Sequence, residues 1–168
     1  MKRGGDALQI VSAIKADQIS QTSPVADAPN TISVDLSFNV PKYPFEAQYM
    51  TLAGLTNAVL PGQSVALISA LGVDAFCQFN PVTGVPEEGH GTWDEASFTL
   101  RFTFCSTLEL ESNTTYRVSF DITNPLEKQV SPVGISLNGN GAIYFPPQIL
   151  NKPDTTALGK PYTLNPEP

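Results

Sequence analysis

Charged side chains are scarce in this chain, and basic ones are the scarcest. Charged residues make up 15% of the 168 positions, with nine Lys and Arg against sixteen Asp and Glu, which gives a net charge of −7. Nucleic-acid binding requires clustered Lys and Arg at the phosphates, whereas these nine are thinly spread. The excess of acidic residues also disfavours binding to an anionic membrane surface. We therefore expect no nucleic acid among the partners.

Long apolar runs are absent as well. No stretch of 18 or more apolar residues occurs, so the sequence predicts no membrane-spanning helix. The segment Met1–Asp6 begins with basic residues, but no apolar stretch follows, so it is not a signal peptide. Two interpretations remain: a protein that is not secreted, or a mature or excised segment of a longer precursor. We favour the second.

The residue types used most in catalysis are few. His90 is the only histidine and lies in Glu87–Gly91, which we interpret as a solvated loop. One imidazole and two cysteines do not make a zinc site, and no nucleophile motif or EF-hand spacing is present. We expect no active site, no cofactor and no metal. A glycosidase with paired carboxylates stays an open alternative, because such pairs leave no linear signature.

Strict alternation of apolar and polar residues is the strongest positive signal. It runs without a break through three segments, 31–39, 97–104 and 115–123. Period 2 over eight or nine residues is typical of a strand with one buried face. The apolar faces need a covering layer, and no long amphipathic helix is available. The sequence therefore predicts an all-β, two-sheet antiparallel β-sandwich of about 7–9 strands.

Weaker patterns fill in the remaining elements. Asn138–Gly141 is a hairpin signal, 93–97 is a predicted chain reversal, and 21–29 is a predicted connector. Pro146-Pro147 is predicted to end a strand. We expect one domain over 1–150 and an extended Pro-rich tail or linker over 151–168. The six further predicted strands are 8–14, 49–52, 64–68, 75–79, 133–137 and 142–145.

Several pieces in order carry a family resemblance: Thr51-Leu52-Ala53-Gly54-Leu55, Gly91-Thr92-Trp93, Phe98-Thr99-Leu100, Phe120-Asp121-Ile122-Thr123-Asn124-Pro125 and Gln129-Val130-Ser131-Pro132-Val133-Gly134-Ile135-Ser136. Together, over about 31–137, they resemble a repeat domain of very large extracellular proteins of algae and other protists. The resemblance implies an immunoglobulin-like sandwich used in adhesins, cell coats or flagellar hair filaments (mastigonemes).

Cys77 and Cys105 are the only cysteines and both lie at or near predicted strands. In an oxidising compartment they would form a single bridge, and we place this slightly ahead of two buried free thiols. Asn113-Thr114-Thr115 is an N-glycosylation acceptor between two predicted elements. Both features favour an extracellular or cell-surface location.

Trp93 has two interpretations. An exposed indole would be a sugar-stacking platform, whereas a buried one would be a core residue packed between the sheets, which the resemblance favours. The leading functional hypothesis is a non-catalytic structural or adhesive module that contacts other protein chains of an extracellular assembly through sheet edges and loops. The alternative is a carbohydrate-binding module with a glycan partner.

Overall fold

The computed structural model describes residues 14–39, 41, 49–69, 76–80, 83–104, 109–127, 136–139 and 145–149. Within these ranges the chain is all-β. The strands are β1 (Ile14–Gln21), β2 (Pro29–Phe38), β3 (Tyr49–Ala53), β4 (Ser64–Ala66), β5 (Ile68–Ser69), β6 (Phe76–Phe79), β7 (Pro86–Glu88), β8 (His90–Asp94), β9 (Thr99–Phe104), β10 (Thr115–Thr123), β11 (Ser136–Gly139) and β12 (Phe145–Ile149). No described residue belongs to a helix able to cross a membrane.

The strands form two antiparallel sheets. Sheet 1 has the order β1-β2-β10-β5, and sheet 2 has the order β12-β11-β3-β9-β6-β7, with β8 pairing both β9 and β4. Nine of the twelve strands are four residues or longer. The predicted two-sheet antiparallel β-sandwich is therefore confirmed, and its strand number agrees once the shortest segments are set aside.

The alternating segments supply the core, as predicted. Segment 115–123 coincides with β10, and segment 31–39 lies almost wholly within β2. Alternate side chains of β2, β9 and β10 pack into a single apolar cluster with side chains of β3 and β8. The fully buried members include Ile32, Leu36, Leu52, Leu100 and Phe120. Burial of two facing apolar layers stabilises the sandwich.

One predicted strand, 64–68, serves both sheets. Ser64–Ala66 pairs with β8 in sheet 2, and Ile68–Ser69 pairs with β10 in sheet 1. Between them, the buried Leu67 donates its N–H to the carbonyl of Gly89 at 2.7 Å. The chain therefore changes sheet at Leu67 and closes one side of the sandwich.

Two strands at the opposite side of the sandwich differ from what the sequence pattern indicated. The structure has a strand at Ile14–Gln21, which the sequence analysis did not assign, because its many polar residues hide the alternation. The strand at Phe145–Ile149 runs through Pro146-Pro147, which were predicted to end a strand. Both prolines are tolerated because they lie at the register shift between β11 and β12, and because β12 is an end strand of sheet 2 among the described strands.

Two predictions near Trp93 need correction. Phe98 was expected to begin the strand, but it lies in the turn with φ +52°, and the strand begins at Thr99. The segment 87–91 was interpreted as a loop, yet Pro86–Glu88 and His90–Asp94 are strands joined at Gly89. Gly89 adopts φ +69°, which favours glycine, and this conformation lets the chain pass from one strand to the next.

Some predicted features lie outside the described residues. These are Cys105, most of the predicted strands 8–14, 133–137 and 142–145, half of the Asn138–Gly141 turn, and the tail 151–168.

Candidate functional site

Cys77 lies in β6 and is buried, with 1% of its surface exposed. No described cysteine is a free thiol. Its backbone pairs with Thr103, while the neighbouring Phe76 pairs with Phe104. Cys105 follows directly on Phe104 in the chain, so the sequence places the second cysteine next to the strand that pairs with Cys77. The bridge between them stays a prediction.

Asn113 lies in the turn that precedes β10 and is exposed. Its backbone has φ +61°, a conformation that asparagine tolerates better than most residues, and its N–H donates to the carbonyl of Phe38 at 2.7 Å. Thr115, the third residue of the acceptor triplet, is also exposed. The triplet therefore occupies an accessible surface turn, as an N-glycosylation site requires.

Trp93 belongs to the core rather than to the surface. Only 5% of the side chain is exposed, and its ring centroid lies 6.3 Å from that of Phe98. The hairpin turn beside it is organised by Asp94, whose carboxylate accepts hydrogen bonds from the Ala96 N–H at 3.0 Å and the Ser97 hydroxyl at 2.7 Å. This burial favours the core interpretation over a sugar-stacking platform. Among the described large apolar side chains that are exposed, the one aromatic is Tyr49.

Gln78 of β6 is buried, and its side-chain amide is fully hydrogen-bonded to neighbouring strands of sheet 2. Its amide N–H groups donate to Ser64 Oγ and Glu87 Oε2, both at 2.6 Å, and its carbonyl accepts from Thr92 Oγ1 at 2.9 Å. Every polar atom of this amide is thereby bonded, so Gln78 links three neighbouring strands.

His90 lies beside Glu87, whose carboxylate is 3.8 Å from the imidazole Nδ1. The described residues contain no cluster of His, Cys, Asp and Glu that could hold a metal ion.

The outer face of sheet 1 is a set of polar rows that run across β1, β2 and β10. In one row Arg117 donates two hydrogen bonds of 2.6 Å to Asp35, and these bonds raise the pKa of the guanidinium. In the next, the Ser33 and Ser119 hydroxyls lie 2.8 Å apart. Ser119 was expected on an exposed face and is nevertheless buried. This face offers hydrogen-bonding groups and no described aromatic ring.

The end strands of the two sheets differ sharply in how open they are. At the ends of sheet 2, β7 has three residues and begins with Pro86, and β12 contains two prolines. At one end of sheet 1, β5 has only two residues. At the other end, β1 has eight residues and no proline. Prolines, short length, lysines and β-bulges all protect sheet edges. In β1 the lysine and the register shift lie at its start, at Lys15 and between Ile14 and Ala16, so residues 17–21 are the least protected edge among the described strands.

The backbone register shows which groups this edge presents. Thr22 donates its N–H to the carbonyl of Thr31 at 3.1 Å, just beyond the last β1–β2 pair. In an antiparallel ladder, hydrogen-bonded residues alternate with residues that direct both backbone groups the other way. Asp17, Ile19 and Gln21 therefore direct their N–H and C=O groups away from β2, toward the side on which no described strand pairs.

Exposed apolar side chains gather at the end of the sandwich where β10 finishes. Val59 exchanges two backbone hydrogen bonds with Thr123, and Asn124 Nδ2 donates to the carbonyl of Val25 at 2.8 Å. Val25, Val59 and Leu126 are each more than half exposed. These loop residues give one end of the molecule an apolar surface beside its polar face.

Comparison with known proteins adds no relative. No family model, no curated protein and no solved structure matches the chain. The site with the clearest geometry is thus the β1 edge, which sequence reasoning missed. The only sequence signal for it is the pair of apolar residues Ile14 and Ile19 among polar neighbours, which is too weak to mark a strand.

Proposed function

We infer that this chain is a non-catalytic structural or adhesive module of an extracellular or cell-surface assembly, and that it contacts neighbouring protein chains through sheet edges and loops. The observation that carries the proposal is the β1 edge. Three residues of this strand direct backbone donors and acceptors outward, and the strand lacks the prolines and short length that protect the other edges. An open strand edge is a ready binding surface for another extended chain.

The sequence features support an extracellular setting. The Cys77–Cys105 pair is proposed to form a disulfide, and the exposed Asn113 turn is proposed to carry a glycan; both modifications belong to oxidising, secretory compartments. The sequence segments that resemble a repeat domain of large protist surface proteins also favour an extracellular location. On the basis of that resemblance we propose that the sandwich is immunoglobulin-like. The exposed apolar residues near Asn124 supply a second surface, formed by loops.

The experiment is site-specific photo-cross-linking in the native setting. A photoreactive residue replaces Gln18, which is exposed on β1, and a matched variant carries it at Arg101, which is exposed in the interior strand β9. We expect cross-links to a neighbouring chain from position 18 and none from position 101. A monomeric protein that shows no cross-link from any edge or loop, and that hydrolyses a glycan or ester, would make the proposal wrong.

A further inference from the structure

The partner at the β1 edge can be specified from the register and the charges. We propose that β1 pairs antiparallel with β1 of a second copy of this chain, about a two-fold axis at Ile19, which joins two four-stranded sheets into one of eight strands. This inference rests on the proposed function, because it names the neighbour that the edge contacts.

Backbone geometry selects the axis. The residues that direct their hydrogen-bonding groups outward are Asp17, Ile19 and Gln21. A two-fold axis at Ile19 places Ile19 opposite its own copy and Asp17 opposite Gln21 on both sides. All three outward residues then lie in hydrogen-bonded pairs, which gives six backbone bonds. Moving the axis by one residue in either direction pairs only two of them with each other.

Side-chain chemistry agrees with the same axis. Gln18 then lies opposite Ser20 of the second copy on the outer face, and both side chains are polar and uncharged. An axis at Asp17 would instead place two carboxylates directly opposite each other, which destabilises a strand pair. Ile19 has no exposed surface, so its side chain stays in the core of its own copy while only its backbone takes part.

Charge also favours this edge over the β7 edge. Each chain carries −7, so two copies repel unless the surfaces that meet are locally neutral. In β1 the single positive charge of Lys15 balances the single negative charge of Asp17. The β7 edge has two glutamates in three residues, so two copies would repel each other there. In sheet 2 the strand that lies against β1 is β12. Its two prolines prevent sheet 2 of one copy from pairing with sheet 2 of the other.

The first test is the mass of the full chain in solution by sedimentation equilibrium. We expect a reversible dimer of the 18.0 kDa chain. In the double variant Gln18→Lys with Ser20→Lys, lysines face each other twice across the axis, and we expect a monomer. The control, Gln63→Lys with Ala66→Lys, adds the same charge at exposed positions in and beside β4 and should dimerise like the wild type. A wild type that stays monomeric at about 1 mM, or a dimeric Gln18/Ser20 variant, overturns the inference.

The second test determines the register between the two β1 strands. Gln18 and the second copy's Ser20 form a non-hydrogen-bonded pair, in which Cα atoms approach to about 4.5 Å. A mixture of Gln18→Cys and Ser20→Cys chains should oxidise to a cross-linked heterodimer, whereas neither variant alone should. Cross-linking of either variant alone would reject the axis at Ile19. If the photoreactive residue at position 18 captures a chain of different sequence, self-association is wrong while the proposed function stands. If it captures nothing, self-association through β1 is wrong, and the proposed function fails with it only when no other edge or loop cross-links.

Discussion

Asn30 donates a 2.7 Å hydrogen bond from Nδ2 to Oδ1 of Asn124, and both side chains are 3% exposed. Asn30 Oδ1 accepts the backbone N–H groups of Thr22 and Ser23, and Asn124 Nδ2 donates to the carbonyls of Ser23 and Val25. The pair fixes the 22–28 connector to the end of β10. Asn124 therefore determines the path of the chain where β1 ends.

Replacing Asn124 by Ala should destabilise the fold by about 3 kcal/mol. The change leaves one buried Asn30 donor without a partner and removes the hydrogen bonds to two part-buried backbone carbonyls. Urea unfolding followed by fluorescence measures the loss. The matched control, Gln63→Ala, removes an exposed amide side chain and should cost less. Equal losses for the two variants would show that the buried pair contributes little.

A carboxylate at Val118 should unfold the domain. Val118 is 1% exposed in β10, so Val118→Asp places an unpaired charge between the sheets and should cost more than about 4 kcal/mol. The control is Thr115→Asp at the exposed start of the same strand, which should stay within about 0.5 kcal/mol of the wild type. Thermal denaturation followed by circular dichroism distinguishes them. A cooperative, wild-type-like transition for Val118→Asp would contradict the assignment of this face to the core.

The Cys77–Cys105 bridge should be visible in intact mass. Protein isolated without reductant should resist alkylation even when it is denatured, and it should take up two alkyl groups only after reduction. The loop of about 28 residues that the bridge closes should stabilise the fold by roughly 3–4 kcal/mol relative to the Cys105→Ser variant. Alkylation of both thiols without prior reduction would show that the bridge is absent and would weaken the extracellular proposal.

Asp94 should contribute a small, pH-dependent increment of stability. Its pKa is lowered mainly by the hydrogen bond from the Ser97 hydroxyl, although desolvation acts in the other direction. A lowered folded pKa means that the contribution is complete above the unfolded value of about 3.9 and is lost as the pH falls through the folded value. The wild type should therefore exceed Asp94→Asn in stability at neutral pH, and the difference should shrink in acid. Urea unfolding across this pH range measures it, with Glu95→Gln as the control. A difference that grows in acid would reverse the assigned sign.

The central strands could be predicted because their side chains alternate between two environments. Every other residue of β2 and β10 lies in the core, so period 2 was visible in the sequence. The edge strands could not be predicted in this way. Among the described strands β1 pairs on one side only and is rich in polar residues, and β12 accepts two prolines at the register shift where its pairing with β11 is interrupted. The strand before Gly89 was missed, and the one after it was predicted only at its Trp93 end, because both are short and carry charged or polar residues.

Composition and periodicity by themselves determined that this chain is an antiparallel sandwich with an acidic surface, because burial of alternating apolar faces leaves few other arrangements. Tertiary structure alone decided which strands became edges, that Trp93 is buried, that Asn30 meets Asn124 across 94 residues of sequence, and that β1 directs three residues outward. These features depend on pairing between segments far apart in the chain. No local pattern encodes such pairing, because a hydrogen-bonded backbone looks the same for every residue that can donate and accept.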